Sequence, residues 1–145
     1  MNGPVVLDTS VILKWFHQEE VLANQALALR DAYLDGRIAV AIPSLVAYEL
    51  ANVLRYKADL TTGQVQQAVQ SLFGMRLEWV LPSSAMMRRA VEIGRACETT
   101  VYDASFAALA ESLNAPFFTA DERLVRSLEP LGFVRFLGEI EGEIP

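Results

Sequence analysis

The chain of 145 residues contains one cysteine, one histidine and only two lysines, Lys14 and Lys57. Each scarcity removes an explanation. Cys97 by itself permits no internal disulfide, and on an otherwise apolar helix face it reads as a small core residue. His17, following "KWF" near a helix end, has no second histidine for a paired-histidine ribonuclease and lacks the partners of a triad, so a surface or loop place is expected for it. The eight glycines form no phosphate-cradling loop of either common spacing. Long apolar runs are missing too: "IAVAIPSLVAY" is far shorter than the roughly 20 residues that span a bilayer and is broken by Pro43. The start, "MNGPVV", lacks the basic segment and sustained apolar stretch of a signal peptide. The expectation is a cytoplasmic chain without a membrane partner.

What is present suits one folded domain, since 145 residues with 52% hydrophobic and 21% charged side chains suffice for a single sizeable core. The net charge of −6 argues superficially against a polyanionic partner, but its distribution matters more. Glu139, Glu141 and Glu143 lie in the terminal "GEIEGEIP", which reads as a solvated acidic tail over 138–145 after a domain over 1–137. Arg88 with Arg89, and Arg55 with Lys57, form basic pairs that read as solvated helix faces, with guidance of phosphates as the alternative. Trp15, Phe16 and Trp79 are expected to pack a core or a dimer interface rather than stack on bases.

Short apolar runs alternate with helical patterns, which implies an α/β fold with a central, mostly parallel sheet flanked by helices. Strands are expected at "PVVLD", "RIAVAIP", "LEWVLP", "PFFTA" and "FVRFL". Between them, "TSVILKWF" has Thr9 or Ser10 as a helix cap, and "EEVLANQALALRDAYLDG" forms a helix stopped by Gly36. "SLVAYELANVLRYKADL" is a further helix, and Thr61 with Gln64 marks a capping box opening the next. "SSAMMRRAVEIGRACE", "VYDASFAALAESLN" and the short "DERLVRSL" complete the set.

Four acids interrupt this apolar pattern. Asp8 and Asp121 follow strands and so project from carboxyl ends, where open parallel sheets place ligands. At 100° per residue Glu49 shares a face with Leu45, Val46, Asn52, Val53 and Tyr56, and Asp103 with Phe106, Ala107 and Ala110. A buried acid needs a partner, a metal or a proton. Helix capping is the competing explanation for Asp8, Asp103 and Asp121, and Thr119 with Glu122 matches a capping box; Glu49, in mid-helix, has no such alternative. Together the four would form an all-oxygen pocket suited to Mg²⁺ or Mn²⁺.

The ordered set "LDTSVILKWF", "IPSLVAYELANVL" and "VYDASFAALAESLNAPFFTADERL" resembles PIN-domain ribonucleases of the VapC type, the toxins of VapBC toxin-antitoxin modules, over roughly residues 5 to 137. The resemblance implies a PIN-like fold, metal-dependent endoribonuclease activity on an RNA substrate, a cognate antitoxin and a homodimer built from exposed apolar helix surface. It maps the acidic site onto Asp8, Glu49, Asp103 and Asp121, with Asp8 and Asp103 as metal ligands and Ser10 and Thr119 as supporting hydroxyls. Two alternatives stand beside it: a phosphoacceptor receiver domain, disfavoured because no lysine follows a late strand, and a catalytically idle PIN-like binding module.

Overall fold

Val5, Val6 and Leu7 are all buried, so the first strand has no polar face to alternate with; both of its sides are covered, as in parallel sheets sandwiched by helices. The computed structural model describes residues 3–140. It runs β1 (Pro4–Leu7), α1 (Thr9–Phe16), α2 (Ala23–Leu34), β2 (Ala39–Pro43), α3 (Leu45–Arg55), α4 (Thr62–Gly74), β3 (Glu78–Val80), α5 (Ser84–Cys97), α6 (Val101–Leu113), β4 (Phe117–Thr119), α7 (Glu122–Ser127) and β5 (Val134–Phe136), with short 3₁₀ turns at Glu129–Leu131 and Leu137–Glu139. The sheet order is β3-β2-β1-β4-β5 and every pairing is parallel, Val6 standing opposite Phe117 and Val5 opposite Val40. All carboxyl ends therefore open on one edge, with β1 and β4 at its middle.

Helix α6 is the most enclosed element. Its residues from Ala104 to Ala110 are all buried, which a helix achieves only when it is covered on nearly every side. Phe106 stacks on Phe117 of β4 at 5.6 Å. On α5, Gly94 permits the close approach that α6 needs, since a Cβ there would stand 3.1 Å from the Thr99 carbonyl oxygen and 3.9 Å from Ala104 Cβ. Trp15 is core, its Nε1 donating to the Ala26 carbonyl at 2.8 Å, and Trp79 stacks on Phe73. Cys97 is partly buried against the same core.

Helix boundaries depart from expectation in three places. The second helix starts at Ala23 rather than at the glutamates, because Leu22 adopts the left-handed conformation (φ 67°) and breaks the pattern; it ends as expected before Gly36 (φ 74°). Neither Thr9 nor Ser10 caps α1: Asp8 holds the N-cap position, without a side-chain cap bond, and both hydroxyls lie inside the helix. The Thr119–Glu122 capping box is absent because Asp121 is itself the cap of α7, accepting from the amides of Arg123 and Leu124. By contrast Thr61 and Gln64 make their box, with reciprocal bonds of 3.2 and 2.8 Å.

At the carboxyl terminus Ile140 packs against the core, beyond the boundary placed at residue 137. Glu141 and Glu143 of the expected tail lie outside the described residues. Of the basic pairs, Arg89 grips Glu111 through two bonds of 2.7 and 3.0 Å, Lys57 pairs with Glu20 at 2.6 Å, and Arg55 lies over the Tyr56 ring. No helix among the described residues is long and apolar enough to cross a membrane.

Candidate active site

Asp8 stands at the carboxyl end of β1, its backbone amide bonded to the Phe118 carbonyl of β4 at 3.0 Å. Its side chain is 8% exposed. The hydroxyls of Ser10 and Thr119 both donate to Oδ2, at 2.8 and 2.7 Å. These hydroxyls also accept: the Ala120 amide donates to Ser10 Oγ at 3.0 Å and the Asp121 amide to Thr119 Oγ1 at 3.1 Å. Two side chains thus lock the end of β4 to the start of α1 around one carboxylate.

The other acids arrive from separate elements. Glu49, on the third helix, is half-buried, and its Oε1 accepts from Thr9 Oγ1 at 2.7 Å. No hydrogen bond reaches its Oε2 among the described residues. Asp103 sits half-buried in the first turn of α6, its amide donating to the Thr100 cap at 3.1 Å. Asp121 is exposed and spends Oδ1 on capping α7.

The electrostatics follow from burial. Burial pushes the Asp8 carboxyl above its ordinary range, and the charge of Asp103 adds to this, against the bonds from Thr119, Ser10 and the Thr9 amide. Glu49 is raised by burial and by Asp8 and Asp103, with the Thr9 hydroxyl opposing. Asp103 is raised by burial and by the charge of Asp121, with Thr100 opposing. No lysine or arginine makes an ion pair with any of the four among the described residues. Desolvated like charges that no protein cation compensates favour protonation or a bound cation.

The donor set fits a hard divalent ion, being oxygen only and anionic. Its spacing limits how that ion is held. Among the described residues the one group of three potential ligand atoms within 4.8 Å of one another is His17, Glu19 and Asp59, at the far end of α1. There both imidazole nitrogens already have partners, Nδ1 with Glu20 at 3.2 Å and Nε2 with Asp59 at 2.9 Å, and Lys57 supplies positive charge alongside. The four acids are more open, which suits an ion taking one or two carboxylates directly and keeping several waters, the usual habit of Mg²⁺.

Sequence reasoning overlooked Thr9 in this setting. A hydroxyl in the first turn of a helix reads as a cap, and its bond to Glu49 spans 40 positions, so local pattern carried no signal. Beside the acids, Tyr48 and Tyr102 are exposed and line, with Met86, Val101 and Ser105, a cavity of about 610 Å³ that has no charged residue in its wall.

The chain matches the family model of the PIN domain over residues 5–127, and it belongs to that family. Solved structures agree on the fold. A toxin-antitoxin complex from Klebsiella pneumoniae is similar with a TM-score of 0.68 at 16% identity, covering 97% of this chain and 99% of that one. VapBC2 from Rickettsia felis, bound to a DNA fragment from its promoter, gives 0.67 at 20% identity over 92% and 98%. PAE2754 from Pyrobaculum aerophilum gives 0.63 at 18% identity over 95% and 92%. No curated protein matches significantly. The observed strand order also differs from the 2-1-3-4-5 arrangement of receiver domains, so that alternative loses its structural basis.

Proposed function

We propose that this PIN-domain protein is a divalent-metal-dependent endoribonuclease, the toxin of a toxin-antitoxin pair. The observation that carries the reading is the group of Asp8, Glu49 and Asp103, three carboxylates with raised affinities for protons and no protein cation among them. Asp8 and Asp103 are the residues that would hold Mg²⁺ or Mn²⁺. When bound, such an ion polarises a phosphodiester and acidifies a coordinated water. Glu49 and Asp121 border the same space, Glu49 with its free Oε2 available to orient the attacking water or to help hold a second ion. Ser10 and Thr119 fix Asp8 by donating to one of its oxygens, which partly opposes the effect of burial on its carboxyl.

Water attacking phosphorus with the 3′ oxygen as leaving group gives 5′-phosphate and 3′-hydroxyl ends, whereas attack by the ribose hydroxyl expels the 5′ oxygen and leaves a 2′,3′-cyclic phosphate. The test is incubation of pure protein with RNA and Mg²⁺ or Mn²⁺, with and without chelator. Metal-dependent cleavage with 5′-phosphate ends is expected. Metal-independent cleavage or cyclic ends would overturn the mechanism, and a folded protein that binds no metal and cuts nothing would favour the idle binding module.

The partners follow by analogy with the structural neighbours, one of which is described as a toxin-antitoxin complex. A cognate antitoxin should copurify when its gene is expressed alongside. A homodimer would cover exposed apolar surface such as Tyr48, Leu81, Val101 and Tyr102, and the mass in solution tests it. The cytoplasm is the compartment where an RNA substrate and such a partner meet.

A further inference from the structure

We infer that Thr9 is a positioning residue for this reaction, holding the Glu49 carboxylate inside the acid pocket with Oε2 left free for the ion or the water. The inference rests on the metal-nuclease reading of the site.

Three hydroxyls surround the acids and divide the task unequally. Ser10 and Thr119 both donate to Asp8 Oδ2, so Asp8 keeps a donor if either is lost. Among the described residues Glu49 has one donor, Thr9 Oγ1 at 2.7 Å. Glu49 reaches the pocket from a half-exposed helix face on a side chain with three rotatable bonds, and two like charges, Asp8 and Asp103, press on it from within. Repulsion and solvation together favour a rotamer that swings the carboxylate outward into water. The Thr9 hydroxyl opposes that swing by donating to the ionised form, a bond of the stronger, charge-assisted kind.

Thr9 is built for this. It is 7% exposed, and its β-branch restricts χ1, so the hydroxyl points where the first turn of α1 directs it. It forgoes the cap it was expected to make: α1 has no side-chain cap bond, although threonine and serine are both present in its first turn. Because Thr9 follows Asp8 directly, the bond also ties the helix that begins at one acid to the helix that carries another.

The test is a double-mutant cycle with Thr9→Val, Thr9→Ser, Glu49→Gln and the pair Thr9→Val/Glu49→Gln, read by RNA cleavage and, without RNA, by Mn²⁺ affinity from electron paramagnetic resonance. Valine keeps the shape and removes the donor, and serine keeps the donor. Metal-free melting curves establish that each variant folds, and Glu49→Gln perturbs the same bond from its other side should the valine variant fail to fold. Thr9→Val is expected to lower kcat about 10- to 100-fold, the usual cost of losing an outer-shell partner, with KM for RNA within about twofold. Mn²⁺ affinity should weaken in parallel, Thr9→Ser should stay within about threefold of wild type, and Thr9→Val should cost nothing further on the Glu49→Gln background. An equal loss on that background, or wild-type kcat and Mn²⁺ affinity in Thr9→Val, overturns the inference alone. A wild-type protein that neither binds Mn²⁺ nor cleaves RNA overturns the metal-nuclease reading and the inference with it.

Discussion

The two ends of α1 meet the same problem with opposite solutions. At its carboxyl end Glu20 and Asp59 are balanced: Lys57 lies 2.6 Å from Glu20, and His17 bridges Glu20 and Asp59 through its two nitrogens. There the carboxyls are held below their ordinary range, by Lys57 for Glu20 and by His17 for Asp59. At its amino end Asp8, Glu49 and Asp103 are raised above theirs by burial and by neighbouring acids, Asp103 acting on the other two and Asp121 on Asp103. One cluster is complete within the protein and the other is not. Charge alone therefore does not single out a candidate site; charge that no protein cation compensates does, and the difference is visible only once the partners are known.

The sharpest way to break the comparison is Asp103→Asn. It should abolish cleavage while leaving the metal-free protein as stable as wild type or more so. Burial and the charge of Asp121 both disfavour the ionised Asp103 carboxyl; relief of about 1 kcal/mol would raise Tm by roughly 3–6 °C in a domain of this size. Calorimetry with and without Mn²⁺ checks both parts, since the ion should stabilise the variant less than wild type. A large loss of metal-free stability would make Asp103 structural.

Thr119→Val should instead lower activity and stability together. Its fully buried hydroxyl donates to Asp8 and accepts from the Asp121 amide, so removal strips a donor from a buried carboxylate and orphans an amide. A loss of about 1–3 kcal/mol in urea unfolding is expected. Thr61→Ala removes a true capping box far from the acids and should cost about 1 kcal/mol with cleavage unchanged. The smallest effect belongs to His17→Gln. Bonds first to Asp59 and then to Glu20 raise the His17 pKa, against burial. Its contribution to stability is therefore complete below the ordinary histidine value near 6.5 and disappears as pH rises through the folded value. Wild-type unfolding midpoints should fall across that window and those of the variant should not, with cleavage alike in both. The chain has no other histidine, so its NMR titration is directly assignable.

Much of the fold was legible because it depends on local pattern. Unbroken runs such as "VVL" and "AVAI" announce strands buried on both faces, and Gly36 and the Thr61–Gln64 box punctuate helices through bonds within four residues. The acids stood out for a related reason, as charges on faces otherwise apolar. Local pattern could not assign a hydroxyl whose partner lies far off in sequence; Ser10 and Thr119 are expected beside the acids through the resemblance alone, and Thr9 is not expected there at all. Thr119 fits a local capping rule, yet its hydroxyl goes to Asp8, 111 positions away, leaving Asp121 to cap the helix. Thr9 reads as a cap and its hydroxyl goes instead to Glu49, 40 positions away, whereas Ser10 donates to Asp8 only two residues before it. Local rules describe which bonds a side chain could make next to itself, and tertiary contacts decide among them.

The seat of Asp8 has a consequence for the order in which the molecule comes into being. The strand that bonds the amide of Asp8 and the threonine that grips its side chain are made more than a hundred residues after it. Asp103 and Asp121 are late as well. Until β4 slides in beside β1, Asp8 ends a strand that is paired on its β2 side alone. If the assembled site cuts RNA, fragments that end before β4 lack the seat of Asp8 and should be inactive.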